Sequence, residues 1–542
     1  MKKIKALLFL FSMAAVLLAQ KPFVSSVWVA DNGDGTYKNP ILYADYSDPD
    51  LVRVGEDFYM TASSFNVIPG LPILHSKDLV NWQLINHALE RQPPYDHYSK
   101  VQHGAGVWAP SMRFHNGEYY IYWGDPDFGI YMVKTDDPAA KWSKPVLVKA
   151  GKGLIDPSPL WDEDGRAYLV YAYAGSRAGI KSILVAAEMS PCGTHMLNEG
   201  KIIFDGHDDH ETVEGPKFYK YNGYYYIFAP AGGVTYGWQL VLRSKNVYGP
   251  YEHRIVMHQG STNINGPHQG GWVELESGEH WFVHFQDQFT YGRVTHLNPM
   301  TWKNGWPVIG IDREGKGTGE PVSSYRKPNV GKTHPIATPP DSDEFDNYEL
   351  GLQWQWHANP KNTWAFINPG KKQLRLFSDL IPEEAVSYYQ VPNLLMQKFP
   401  SNEFTVETKM TFKPNDRMTG ERAGIIVMGY SYASLALEDR EDGIYLVYNI
   451  CNNARNGNAE TEAFATKINS NTVHFRITVS ADSMVEFSYS TNGRRFTKMD
   501  TAFKADRGHW IGAKVGVFCT RLQTTNDSGF ADFDYFRFSK KR

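Results

Sequence analysis

Three short strings carry carboxylates that could do acid–base chemistry: Ser47-Asp48-Pro49-Asp50, Ile155-Asp156-Pro157-Ser158 and Val213-Glu214-Gly215-Pro216. Each sets an acid beside a Pro or a Gly-Pro. If they are equivalent positions of a repeat, three acids converge on one pocket. Like charges in a shared site raise one another's pKa, so such an arrangement is costly and points to use. It is the condition that hydrolysis of a glycosidic bond needs. One carboxyl must be protonated to donate to the leaving oxygen, and another must be ionised to activate water. A third acid beside the donor can hold the donor's proton and position.

The elements that would bring these acids together are legible as a repeat. A motif containing Pro is followed within a few residues by a Gly-containing turn and then an aromatic strand. It occurs at Pro49, Pro110, Pro157, Pro216 and Pro267, at intervals of 47–61 residues. The turns include Asn116-Gly117, Asp164-Gly165 and Asn222-Gly223, the pairs that tight hairpins use. A period near 40–50 residues with several strands per unit is the mark of propeller blades, and five marks imply five blades. Past Glu320 the chain is Pro-rich, with Pro321, Pro328, Pro335, Pro339 and Pro340, and reads as an extended linker. Beyond it, Phe404 to Phe412 and Val473 to Val479 alternate apolar and polar residues. Asn492-Gly493 closes a hairpin, which together predict a β-sandwich. The expected architecture is all-β: a five-bladed β-propeller over 20–330, a Pro-rich linker over 331–340 and a sandwich over 341–542.

Composition agrees. Of 542 residues, 14% are aromatic, with 47 Gly and 31 Pro, the usage of short strands and tight turns. A net charge of −4 gives no basic surface for a nucleic-acid partner. Residues 1–19 read as a secretory signal, with Lys2, Lys3 and Lys5 ahead of the apolar run Ala6–Leu18. That predicts a mature protein without a membrane span, periplasmic or extracellular. The three cysteines, Cys192, Cys451 and Cys519, match no zinc spacing. Asp31-Asn32-Gly33-Asp34-Gly35 lacks the alternating acids of an EF-hand and reads as a turn.

The ordered set of motifs resembles glycoside hydrolase family 43, in the branch with a C-terminal β-sandwich. It includes Asp48-Pro49, Pro69-Gly70-Leu71-Pro72, Trp108-Ala109-Pro110, Asp156-Pro157, Glu214-Gly215-Pro216, Gly266-Pro267-His268 and Gly292-Arg293. The resemblance implies Asp48 as general base, Glu214 as general acid and Asp156 as the acid that tunes and orients the donor. It implies Arg293 on sugar hydroxyls and Phe65 and Trp108 as aromatic walls. It further implies His268 near the channel centre, helping to hold a hydrated Ca²⁺, with no organic cofactor. The implied reaction is inverting, which sets the base and acid about 6.5–9.5 Å apart. The implied substrates are terminal pentoses of xylan or another hemicellulose, as oligosaccharide or polysaccharide. Among these the reading leans to α-L-arabinofuranosidase with β-D-xylosidase side activity. Two alternatives stand beside it. A non-catalytic carbohydrate-binding propeller would lack one of the three acids. A retaining fructan hydrolase would carry Asn-Asp-Pro-Asn-Gly where this chain has Ser47-Asp48-Pro49-Asp50-Leu51.

Overall fold

The computed structural model describes residues 21–541, so the signal reading of 1–19 lies outside the described residues. Five four-stranded antiparallel sheets follow one another along the chain, each built from consecutive strands. Their innermost strands are Asp50–Val54, Trp108–His115, Leu154–Trp161, Lys217–Tyr221 and His268–Glu274. This is the expected five-bladed propeller. Its outermost strands are Trp82–Leu89, Val146–Ala150, Lys201–Asp205, Glu252–Met257 and Trp306–Ile309.

The aromatic excess lies mainly between blades. Trp82, Trp281, Phe58 and Leu297 fill the seam between the fifth and first blades. Phe228, Trp272 and Phe282 fill that between the fourth and fifth. Burying side chains of this size contributes roughly 1.5–3 kcal/mol each, so the seams hold the ring closed. On the axis, the Asp50 carboxylate accepts from Met112 N (2.8 Å) and Arg113 Nη1 (2.7 Å), and Arg113 Nη2 reaches Ser158 Oγ (3.0 Å). Asp50 is thus a strut between blades, distinct from the acid two residues earlier.

All five Pro marks share one backbone feature. The residue directly before the Pro is left-handed in each: Asp48 (φ 52°), Ala109 (29°), Asp156 (56°), Gly215 (57°) and Gly266 (45°). A residue preceding Pro is barred from the right-handed helical region, and here the sharp corner takes it to positive φ. Each corner opens an inner strand and aims one residue at the channel mouth.

The sandwich consists of two eight-stranded sheets. Phe404–Lys413 pairs with Thr472–Val479 in register, Phe404 opposite Val479, so the alternating residues of both strands face one core. The opposing sheet contributes Ile425, Leu435, Val515 and Val517 to that core. Met484–Ser490 and Thr497–Lys498 form the hairpin around Asn492-Gly493. Helix is confined to single turns, and among the described residues none is long and apolar enough to cross a membrane. The three cysteines are unpaired. Asp31–Gly35 is a turn, in which Asp31 accepts from Gly33 N (2.9 Å) and pairs with Lys327 Nζ (2.6 Å).

The two units are stitched by backbone. Ile68 N donates to Trp356 O (3.0 Å), Trp356 N to Ile68 O (2.5 Å) and Ala513 N to Thr290 O (2.8 Å). The stretch joining them packs as well: Ala337 N donates to Asn81 Oδ1 (3.2 Å), and Ser25 Oγ, near the start of the described chain, to Asp341 Oδ2 (2.5 Å).

Candidate active site

Asp48 and Asp156 sit at two of the left-handed corners, and both are buried, 3% and 2% exposed. Positive φ in a non-glycine residue costs about 1–3 kcal/mol unless its surroundings hold it. Those surroundings are specific. Asp48 Oδ2 accepts from Ser47 Oγ (2.7 Å) and Ser63 Oγ (2.6 Å), and Arg293 Nη1 lies 3.2 Å from Asp48 Oδ1. Every contact to this carboxylate is from a donor, so both oxygens act as acceptors. Asp156 Oδ2 accepts from Gly215 N (2.7 Å), the corner of the next blade.

Glu214 stands one residue ahead of its corner, and glycine takes the corner itself. A Cβ on Gly215 would lie 2.6 Å from the Gln269 side chain, and its φ is 57°, so the site needs glycine twice over. The acid is displaced onto the preceding residue and is a longer side chain, which returns its carboxyl to the group. Glu214 N is fixed by Pro230 O (3.1 Å), and its side chain keeps 29% exposure.

The three acids feel one another. Burial, then the charges of Asp156 and Asp48, push Glu214 up to about 8, with Arg293 pulling the other way. Burial and the charge of Asp48 raise Asp156 above the usual carboxylate range. His268 Nε2 lies 3.5 Å from Glu214 Oε1. Burial first, then Arg293 and His284, depress the His268 pKa to about 3. His268 is therefore a neutral ring, and its contact with Glu214 is no ion pair. Both its ring nitrogens are buried without a hydrogen-bond partner among the described residues. Among those residues no group of three or more His, Cys, Asp or Glu side chains is placed to hold a metal. That donor set does not fit an ion ligated by side chains alone. It fits a hydrated ion that meets one imidazole nitrogen, since calcium fills six to eight positions with oxygen.

The walls are aromatic. Phe65 is buried and left-handed (φ 51°), held by paired backbone bonds with Val107 (3.0 and 3.1 Å). Trp108 opens the inner strand of the second blade, its Nε1 donating to Gly104 O (2.8 Å), and meets Phe65 edge-on at 6.4 Å. A third wall comes from the sandwich. Trp510 stands edge-on to Trp108 at 6.1 Å, with the Arg293 guanidinium 5.5 Å from its ring. It too is left-handed, φ 65°, an outlier for a bulky side chain. Asp45 ties this wall to the floor. Its Oδ1 accepts from Arg293 N (2.9 Å) and its Oδ2 from Gly512 N (3.0 Å). A Cβ on Gly512 would fall 2.6 Å from Gly292 N, so the two segments touch backbone to backbone there.

The seven residues singled out from sequence thus occupy one region, with Asp48, Asp156, Glu214, Arg293 and His268 as its floor. Two residues central to the arrangement carried no signal of their role. Asp45, three residues before Asp48, has nothing local to set it apart. Trp510 lies in Gly508-His509-Trp510-Ile511-Gly512, where an aromatic between glycines was the sole hint.

Comparison with known proteins agrees with this geometry. The profile of glycosyl hydrolases family 43 matches residues 37–307, and that of the β-xylosidase C-terminal concanavalin A-like domain matches 342–539. The chain belongs to glycosyl hydrolase family 43. It is a glycoside hydrolase with the five-bladed propeller and C-terminal sandwich of that branch. It is 38% identical over 498 residues to a putative β-xylosidase of Xylanibacter ruminicola, covering 91% of this chain and 88% of the relative. It is 32% identical over 436 residues to a non-reducing end α-L-arabinofuranosidase of Bacteroides ovatus, covering 77% and 75%. Among solved structures, a xylan β-1,4-xylosidase from Bacillus halodurans superposes with a TM-score of 0.81 at 25% identity, covering 93% of this chain and 100% of that one.

Proposed function

We propose that the enzyme is an exo-acting, inverting glycosidase that removes terminal pentose residues from hemicellulose fragments. Asp48 serves as general base, Glu214 as general acid and Asp156 as the residue that keeps the donor protonated. The observation that carries the reading is the unequal treatment of the three acids. Glu214 is held protonated near neutrality by burial and two neighbouring charges, whereas Asp48 is surrounded by donors. In one step, water attacks the anomeric carbon as its proton passes to Asp48. The glycosidic bond breaks as Glu214 gives its proton to the leaving oxygen. Arg293 spans Asp48 and the pocket and is placed to bond sugar hydroxyls.

A floor of buried side chains under Phe65, Trp108 and Trp510 suits one terminal sugar, which is what exo action takes. The relatives named β-xylosidase weigh toward β-D-xylosyl ends, against the lean from sequence toward α-L-arabinofuranosyl; both remain within the reading. A calcium ion near His268 would be a hydrated one and would supply positive charge to the acid cluster. Calcium raising the melting temperature of the wild type but not of His268→Ala would support it, and no shift in either would remove it. Export to the periplasm or beyond follows from residues 1–19, and is tested by whether secreted protein begins near Gln20.

The deciding experiment measures kcat/KM on p-nitrophenyl β-D-xylopyranoside and α-L-arabinofuranoside, with the product anomer read by NMR. Release from at least one, with inverted configuration, is expected. A retained anomer, or no release from either, overturns the assignment.

A further inference from the structure

Outside the floor, the pocket mouth gathers several arginines although the chain as a whole carries a net charge of −4. A cavity of about 220 Å³ opens there between propeller and sandwich, its lining including Arg293, Arg455, Arg507, His509 and Trp510. Arg177 approaches from the propeller, its guanidinium 5.8 Å from the Trp108 ring. Burial, then the charges of Arg455, Arg177 and Arg507, hold the His509 pKa below its ordinary value.

Three of these arginines have acidic partners, Arg293 with Asp48, Arg177 with Asp127 and Arg507 with Asp287, and Arg455 does not. Asp127 pairs with Arg177 (3.2 Å). Asp287 takes Phe289 N on Oδ1 (2.9 Å) and stands 3.7 Å from Arg507 Nη1. Arg455 is exposed, and among the described residues no carboxylate lies within salt-bridge distance of it. It is nonetheless held in place. Its guanidinium lies 4.4 Å from the Tyr430 ring, and its N donates to Tyr430 O (3.1 Å). Tyr430 N in turn donates to Arg507 O (2.8 Å), so the backbones of both arginines belong to one hydrogen-bonded turn cluster. A planar guanidinium, fixed and lacking an acidic partner, is suited to a carboxylate of a ligand.

With the terminal sugar on the floor, as proposed, what reaches this cavity is the leaving-group side of the substrate. We propose that the cavity recognises a carboxylate on that side, and that the preferred substrates are acidic oligosaccharides with a uronosyl substituent next to the terminal pentose. This deepens the proposed function and rests on it.

The test compares kcat/KM for a neutral xylo-oligosaccharide and for the same oligosaccharide with a uronosyl group on the sugar next to the scissile bond. Calorimetric binding of free glucuronate and of glucose is measured alongside. At low salt the acidic substrate is expected to lead by about fivefold or more. The lead should shrink toward unity in Arg455→Gln, and in about 0.5 M salt, where screening is strong. Arg455→Lys should retain part of it. Glucuronate should bind more tightly than glucose. A wild-type ratio at or below one, or one that Arg455→Gln leaves intact, overturns the proposal even where the pentosides are cleaved. Glucuronate binding that depends on Arg455, in an enzyme that cleaves no pentoside, would sustain the cavity's role and reject the glycosidase reading.

Discussion

The floor and the rim of the pocket are built on opposite plans. The floor is repetitive: acids at or beside left-handed corners before Pro49, Pro157 and Pro216, each opening the inner strand of its own blade. The rim is singular: Trp510, His509 and Arg507 lie on one turn of the sandwich, and Arg455 on another. In the proposed mechanism the floor moves the protons and the rim meets what the sugar is attached to. They meet at Asp45, whose two oxygens hold Arg293 N of the floor and Gly512 N of the rim. The difference teaches that chemistry can reside in a repeated local motif while selectivity is imported from another unit through a few hydrogen bonds.

Substitutions that break the floor should cost most. Asp48→Asn and Glu214→Gln are each expected to lower kcat about 10²–10⁴-fold on xylobiose. Losses below tenfold in both would assign the proton transfers elsewhere. Floor chemistry should also show in pH. Glu214 must be protonated to donate, so kcat/KM falls as pH rises through its raised pKa. Asp156→Asn removes a charge that raises it and should move the alkaline limb to lower pH; an unmoved or alkaline-shifted limb contradicts the tuning role. Linkage gives the same group a stability signature. Its folded pKa lies above its unfolded value, so its contribution is full below about pH 4.5 and is lost as pH rises through about 8. Glu214→Gln should therefore gain melting temperature relative to wild type as pH is raised across that window, and a gap constant with pH would refute this.

Smaller effects sharpen the boundary between the regions. Asp45→Asn can accept at only one oxygen and leaves a buried N–H unpaired, at a cost of about 1–3 kcal/mol. Because it holds Arg293 and the Trp510 turn together, KM should rise along with the fall in stability, and the alkaline limb should stay in place. A loss of stability with unchanged KM would make Asp45 a purely structural tie. Trp510→Ala removes a wall without touching a proton. It should raise KM several-fold and leave kcat within about threefold, whereas a kcat collapse would draw the rim into the chemistry.

Much of this was legible beforehand, for a physical reason. Asp48 and Asp156 are legible because each precedes the proline that marks a repeat; the Asp-Pro pair alone does not single them out, since Asp125-Pro126 and Asp137-Pro138 carry it too. Glu214 was legible despite its one-residue offset because Gly215-Pro216 marks the same corner. The alternation at Phe404–Phe412 and Val473–Val479 gave the sandwich its core face, since strand side chains alternate by geometry alone. Asp45, Trp510, Arg455 and Arg507 were not legible. Nothing local distinguishes Asp45, a buried carboxylate between two distant segments, from the acids around it. Trp510 owes its place to a left-handed turn whose following residues, Gly512 and Ala513, bond Asp45 and Thr290 of the propeller.

By itself, then, the sequence determined the blade repeat, the sandwich strands and three acids at blade corners, because turn chemistry and side-chain alternation act over a few residues. Only the tertiary structure decided how those acids share protons and which residues of the second unit close the pocket. Burial, mutual charge and interdomain contact depend on groups hundreds of residues apart, and no local pattern encodes their distance.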